Sequence, residues 1–142
     1  MTAAGTIRRF PRPVEPWVPP LPYDELETLR NKIRAWRPFD GEALLDDVAV
    51  ALDDVLPAEE DIEEIAQRLR GHLTQLVTIA LAAEEDQRDA TSAQLIEQAR
   101  TLRAEDVPGD HWKAIGHLRR MGWTVNELLE RLVAVRCVAA VA

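Results

Sequence analysis

The 142-residue chain carries a formal net charge of −8 and is 46% hydrophobic and 30% charged, a composition typical of a folded domain and not of a disordered chain. This length allows one domain whose core needs neither disulfides nor a metal, and Cys137, as the only cysteine, excludes an internal disulfide. The N-terminus has no apolar segment of signal-peptide length, and the apolar-leaning C-terminal run is far shorter than the about 20 residues that cross a bilayer. We therefore expect a cytoplasmic protein without a membrane partner.

The negative charge is concentrated in residues 40–64, which contain eleven acidic residues and no lysine or arginine. Residues 1–37 and 111–142 each carry a net charge of +3. An acidic block of this kind repels nucleic acid and attracts basic surfaces. The charge distribution therefore predicts no nucleic-acid partner and favours a basic protein partner, with the basic ends of this same chain among the first candidates.

Six prolines between residues 11 and 22 predict an extended N-terminal arm over residues 1–22, because proline removes backbone donors and favours polyproline II. Trp17 is the largest apolar side chain of this segment. Two interpretations remain open: the arm packs through Trp17 on its own domain or on a second subunit, or it is a disordered tail. A homodimer could form by exchange of the arm, through the longest helix or through the apolar C-terminus.

Apolar residues recur at helical spacing through the rest of the chain, and no run of alternating strand residues occurs. Prolines or proline–glycine pairs interrupt the pattern and separate the helices. The pattern predicts an all-α fold, an antiparallel bundle of four to five helices in a single domain over residues 23–137, followed by a short apolar tail at 138–142. The predicted helices cover residues 23–36, 40–56, 58–85, 91–103 and 110–137.

The third predicted helix shows two adjacent apolar seams, which indicate a wide buried face and hence a central position in the bundle. The last helix keeps a strict spacing of four and three residues along one seam. The seam residues are Ile62, Ile65, Leu69, His72, Leu76 and Ile79 in the third helix, with Ala66, Leu73 and Ala80 beside them, and Ala114, Leu118, Met121, Val125, Leu128, Leu132 and Val135 in the last.

Two acidic pairs, Asp46-Asp47 and Asp53-Asp54, lie two turns apart on the second helix. Paired aspartates on a helix can hold Mg²⁺ and a diphosphate. The apolar residues occupy the other side of this helix, however, so the acids are expected to point away from the core and the complete DDxxD spacing is missing. The pattern favours a solvated acidic face over a docking surface for a basic partner, and both over a metal site.

Three histidines offer the main alternatives for chemistry. His72 falls on an apolar seam, where it is either a core histidine with a hydrogen-bond partner or a residue that contacts a ligand between helices. His117 is a second candidate base, while the spacing of six residues between His111 and His117 excludes a helical metal pair. Trp112 and Trp123 could form the wall of an interhelical pocket with His72 or mark an interface. Trp123 could equally be covered by the N-terminal arm.

Neither a cofactor nor a metal is predicted. The six glycines are scattered and form no phosphate loop. Cys137 lies in the last turn of a predicted helix, where the helix dipole disfavours a thiolate.

In several short helical segments the chain resembles a family of small actinobacterial proteins of unknown function that is associated with natural-product biosynthesis. These segments are residues 69–73, 93–103, 117–121 and 125–130, with the acidic helix upstream. The fifteen arginines against two lysines also fit a GC-rich genome. The resemblance covers about residues 22–136 and implies a biosynthetic setting, without catalytic residues that can be transferred.

Together these features predict a non-catalytic accessory or binding protein of a bacterial secondary-metabolite pathway. It would dock a partner through Trp17 and the acids Asp46, Asp47, Asp53 and Asp54, or hold a small apolar molecule near His72, Trp112 and Trp123. The alternative is a cofactor-free enzyme that acts on a biosynthetic intermediate with His72 or His117 as the base.

Overall fold

The computed structural model describes residues 16–18, 20–35 and 39–139 of the chain. They fall into two compact units that divide between residues 38 and 39. The regular structure of both units is helical, and the described residues include no strand. The predicted all-α class is therefore confirmed. Most of the predicted arm lies outside the described residues, and the division into segments 1–22, 23–137 and 138–142 stays a prediction.

The described part of the first unit forms a helix, α1, over Tyr23–Ala35. The Leu26 N–H donates to the Pro22 carbonyl (3.0 Å) at its start, and Asp24 and Glu25 in the first turn suit the helix dipole. The helix agrees with the prediction of 23–36 to within one residue. Trp36 lies outside the described residues.

The second unit begins with α2 over Gly41–Leu52, and Asp40 caps it by accepting a hydrogen bond from the Ala43 N–H (3.1 Å). The prediction that this helix continues to residue 56 is wrong. The Asp53 carboxylate accepts a hydrogen bond from the Val55 N–H (3.0 Å), and this local bond competes with the helical one. The chain therefore leaves the helix before Pro57.

The longest uninterrupted helix predicted, residues 58–85, is divided into three pieces. A 3₁₀ turn over Glu59–Asp61 precedes α3, which covers Ile62–Ala82, and a single turn, α4, follows at Glu85–Arg88. Glu84 has a φ of 56°, in the left-handed region, which ends the α-helical path. The buried Glu85 carboxylate lies 3.7 Å from Arg88 within α4.

Helices α5 and α6 cover Ala90–Ala104 and His111–Ala134. Asp89 caps α5 by accepting from the Ser92 N–H (3.0 Å), and this hydrogen bond lowers the pKa of Asp89, with the nearby Arg131 cation acting in the same direction. Arg131 of α6 donates to Asp89 and, through Nε, to Ser92 Oγ (3.1 Å). This cluster ties the start of α5 to the last turns of α6.

Helix α6 contacts α2, α3 and α5, so its buried side forms much of the core of the second unit. Both predicted seams supply this core, and the prediction that they are buried is confirmed for most members. Val135 is 36% exposed because α6 ends one residue before it, and Arg136 follows with a φ of 61°. The most deeply buried side chains, at 0–1% exposure, include Leu69, Leu73, Leu76, Leu118, Met121, Val125, Leu128 and Leu132.

Within the described part of the chain, none of the helices combines the length and the apolar character needed to cross a bilayer.

Candidate docking surface

Three of the four aspartates of the acidic pairs face solvent. Asp46 is exposed on α2, opposite its apolar side as predicted, and Asp53 and Asp54 are exposed just after α2 ends. The prediction is wrong for Asp47, whose side chain is only 14% exposed. Asp47 lies three residues after the buried Leu44 and directly before the buried Val48, so it occupies the edge of the apolar side and not its opposite.

Asp47 joins α2 to α3 through two partners, Arg68 and His72. Arg68 Nε donates to Asp47 Oδ1 (2.9 Å), and His72 Nε2 lies 2.7 Å from Asp47 Oδ2. Arg68 Nη1 also donates to Glu64 Oε1 (2.8 Å) on α3. The His72 side chain is 16% exposed. It therefore has the hydrogen-bond partner expected of a core histidine, but lies at the boundary between two helices.

The Asp47 contacts predict a difference in stability between neighbouring acids. Asp47→Ala should lower the free energy of unfolding by about 1 to 2 kcal/mol, because it leaves His72 and Arg68 without their interhelical acceptor. Asp46→Ala, at an exposed position of the same helix, should change it by less than about 0.5 kcal/mol. Urea unfolding of both variants checks this, and equal effects would show that the interhelical contacts add no stability.

Two exposed tryptophans lie on one side of α6. Trp112 is 71% exposed and Trp123 57% exposed. Eleven residues separate them, which is three turns plus about 20°, so they share one side of the helix about 16 Å apart. Gly116 and Arg119 lie between them on that side. This side of α6 thus presents two large apolar side chains to solvent with small or flexible residues between them.

The tryptophan side of α6 adjoins the acidic end of α2. Arg119 Nη2 donates to the Asp53 carbonyl (3.3 Å), and Arg119 Nε is buried without a hydrogen-bond partner among the described residues. A Cβ added at Gly122 would lie 3.0 Å from the Ala51 Cβ, so the two helices approach closely just before Trp123. We call the exposed tryptophans of α6 together with the exposed aspartates of α2 and of the residues after its end the α2–α6 surface: Asp46, Asp53, Asp54, Trp112 and Trp123.

His72 and the two tryptophans lie in different surroundings. His72 contacts Asp47 on α2, whereas the tryptophans face solvent. A small cleft of about 210 Å³ does occur where the starts of α3 and α6 meet, and its walls include Glu59, Glu63 and His111. It contains none of the three residues that the sequence predicts for a pocket.

His117 is fully buried, with 0% of its surface exposed, and neither ring nitrogen has a hydrogen-bond partner among the described residues. Burial lowers its pKa, the Glu105 carboxylate 3.6 Å away opposes this effect, and Arg120 and Arg70 reinforce it. In this structure the ring is inaccessible to a dissolved substrate.

The burial of His117 was not predicted, although a sequence signal for it exists. This residue lies three positions after the seam residue Ala114 and four before Met121. Its burial explains why the neutral imidazole is favoured there.

Trp17 lies in the described segment 16–18 of the first unit, and its side chain is 80% exposed. The predicted role of Trp17 in docking stays a prediction. Among the described residues, no group of three or more His, Cys, Asp and Glu side chains is placed to hold a metal ion.

Residues 42–137 match the model of a family described as "Family of unknown function (DUF6415)". The chain belongs to this family. The matched region of this DUF6415 protein begins inside α2, reaches past the end of α6 and includes every residue of the α2–α6 surface, whereas α1 lies outside it. Membership in a family of unknown function agrees with the resemblance inferred from the sequence, while actinobacterial origin and a link to natural products stay predictions. No curated protein and no solved structure matches the chain.

Proposed function

We propose that this DUF6415 protein is a non-catalytic, cytoplasmic accessory protein of a bacterial secondary-metabolite pathway, and that it docks a basic partner protein on the α2–α6 surface. The observation that carries the proposal is the pair of exposed tryptophans, Trp112 and Trp123, on the side of α6 whose Arg119 binds the Asp53 carbonyl, where Asp53 and Asp54 are exposed. We further infer that α2, α3, α5 and α6 pack as an antiparallel bundle. Contacts between successive long helices support this inference.

The tryptophans supply the apolar part of such an interface. Aromatic residues are enriched among the few side chains that dominate binding energy, because they bury a large area at a small cost in side-chain entropy. Two tryptophans on one side of a helix can anchor one partner element at two points about 16 Å apart. Isolated exposed apolar residues are ordinary on protein surfaces, but two tryptophans on one helix side are not.

The aspartates supply the charge preference. Asp46, Asp53 and Asp54 are exposed and lie in the block of residues 40–64, which contains no lysine or arginine. Exposed acids of this kind accelerate association with a basic surface and penalise an acidic one, and their effect weakens as salt screens it. A partner with basic residues around an apolar patch fits both parts of the surface.

Docking is favoured over the other two hypotheses by the surroundings of the candidate residues. The side chains where α3 and α6 contact each other are packed at 0–1% exposure, which disfavours storage of an apolar molecule between these helices. The enzyme hypothesis draws support from the 2.7 Å contact of His72 with Asp47, since a carboxylate can orient a histidine base. His72 is nevertheless not among the residues that line the cleft between the starts of α3 and α6, and His117 has no access to solvent.

Capture of partners from the native host tests the proposal. The tagged protein is compared with the double variant Trp112→Ala/Trp123→Ala and with the triple variant Asp46→Asn/Asp53→Asn/Asp54→Asn. We expect the tryptophan variant to lower recovery of the same captured protein at least about tenfold, and the aspartate variant to lower it mainly at low salt. Quantitative mass spectrometry of the captured protein measures both effects.

A matched control removes three exposed acids elsewhere, in the variant Glu84→Gln/Glu97→Gln/Asp106→Asn. These residues lie outside α2 and α6, and the change in net charge is the same. Recovery should stay at the wild-type level. Equal losses of recovery in the control and in the aspartate triple variant would show that the aspartates act only through the net charge of the protein. Unchanged recovery for the tryptophan variant would overturn the proposed surface.

A further inference from the structure

The apolar side of α1 is exposed. Leu26, Leu29 and Ile33 follow one another at spacings of three and four residues and so lie on one side of the helix. Leu29 is 46% exposed and Ile33 is 65% exposed, while Leu26 is half-buried. A helix of 13 residues is marginal on its own in water, because helices of this length rely on packing of the apolar side. We therefore expect the apolar side of α1 to pack against a partner.

The charges of α1 indicate which partner fits. The first half of the helix carries Asp24, Glu25 and Glu27, and the second half carries Arg30, Lys32 and Arg34, all of them exposed. When two copies of this helix lie antiparallel, the acidic half of each lies beside the basic half of the other. A parallel arrangement would instead place like halves side by side. Antiparallel packing also opposes the two helix dipoles favourably.

We propose that α1 is a self-association surface, on which a second copy of this chain packs its own α1 in antiparallel orientation. Leu26 of one copy then lies near Ile33 of the other, with Leu29 at the centre, as expected of a two-fold symmetric contact in which both copies use the same residues. The surface belongs to the first unit and lies outside residues 42–137, so it is a feature of this chain beyond the matched family region.

The helix is about 20 Å long, so two copies packed along it share only a small contact. The area buried in such a contact lies at the lower end of the range found in specific complexes. The dimer should therefore be weak, dependent on concentration, and further weakened by salt, because the charged residues of α1 are exposed.

A charge exchange on the full-length chain tests the proposal. The first variant is Asp24→Lys/Glu25→Lys/Glu27→Lys, and the second is Arg30→Glu/Lys32→Glu/Arg34→Glu. Each variant gives α1 a single sign of charge and should be monomeric by sedimentation velocity at concentrations where the wild type dimerises. An equimolar mixture of the two should recover the dimer, because opposite charges again meet. This recovery separates lost charge pairing from a helix that has merely unfolded.

The orientation is tested by cross-linking in a Cys137→Ser background. Leu26→Cys mixed with Ile33→Cys should oxidise to a mixed disulfide dimer, whereas Leu26→Cys alone should not, because only a parallel pair brings position 26 next to itself. Disulfide formation by Leu26→Cys alone would overturn the antiparallel arrangement.

Three results would overturn self-association through α1: a wild type that stays monomeric up to the high micromolar range, charge variants that dimerise like the wild type, or a mixture of them that stays monomeric. The first result would assign the apolar side to another partner or to the rest of the same chain. The proposal is independent of docking on the α2–α6 surface, since these variants leave that surface unchanged.

Discussion

Gly122→Val should lower the free energy of unfolding by about 3 kcal/mol, because residue 122 lies where α2 and α6 approach closely. A Cβ at this position would meet the Ala51 Cβ at 3.0 Å and two side-chain atoms of Leu52 at 3.4 Å. The Ala51 Cβ is attached directly to the α2 backbone, so relief requires a shift of the helix and not of a flexible side chain. A branched residue adds two further atoms to this contact.

The matched controls are other helical glycines. A Cβ at Gly71 or Gly116 would meet nothing within 4 Å, so Gly71→Ala and Gly116→Ala should stabilise the protein by up to about 1 kcal/mol through helix propensity. Gly122→Ala should lose this gain to the contact with Ala51 and be less stable than both. Urea unfolding monitored by circular dichroism measures all four. If Gly122→Ala were as stable as Gly116→Ala, the close approach of α2 and α6 would be contradicted.

Acidification should destabilise the protein through His117, in a way that His117→Leu removes. Burial lowers the pKa of His117 below its ordinary value of 6.5, so the folded state binds the proton less readily than the unfolded chain does. At pH well above 6.5 the residue is neutral in both states and has no effect. As the pH falls through 6.5 the unfolded chain takes up a proton, and the free energy of unfolding decreases by up to about 1.4 kcal/mol per pH unit until the folded pKa is reached.

Urea unfolding of the wild type and of His117→Leu between pH 5 and pH 8 measures this effect as a difference, which cancels the titration of the other groups. Leucine also removes two buried nitrogens that have no partner among the described residues, so the variant should be at least as stable as the wild type above pH 7.

Glu105→Gln provides a second check. The Glu105 carboxylate, 3.6 Å from His117 Nδ1, acts against the effect of burial on the pKa. Its removal should extend the acid-sensitive range to lower pH. A difference between the wild type and His117→Leu that stays constant with pH would contradict the buried neutral histidine.

Helical periodicity predicted much of this fold because it is a local property. The seam of α6 from Ala114 to Leu132 is buried as its spacing predicts, and prolines and capping aspartates mark helix boundaries to within a few residues. Errors arose where a single side chain competes with the helix. The Asp53 bond to Val55 ends α2 early, and the left-handed Glu84 interrupts the predicted third helix.

The candidate site was less predictable because it depends on contacts between helices. The sequence placed Asp47 with its neighbour Asp46 on a solvated face, yet Arg68 and His72 of α3 bind Asp47. It also grouped His72 with Trp112 and Trp123; His72 contacts Asp47 between α2 and α3, and the two tryptophans of α6 face solvent.

The sequence by itself determined the helical class, the apolar side of each long helix and the concentration of acid in residues 40–64, since each follows from residue type and spacing along one helix. Only the tertiary structure decided that Asp47 is an interhelical partner, that His117 is buried without a hydrogen-bond partner among the described residues, and that Trp112 and Trp123 stay exposed. The physical reason is that the period of a helix sets where a side chain points relative to its own axis. Which neighbour covers that side depends on residues that are distant in the chain.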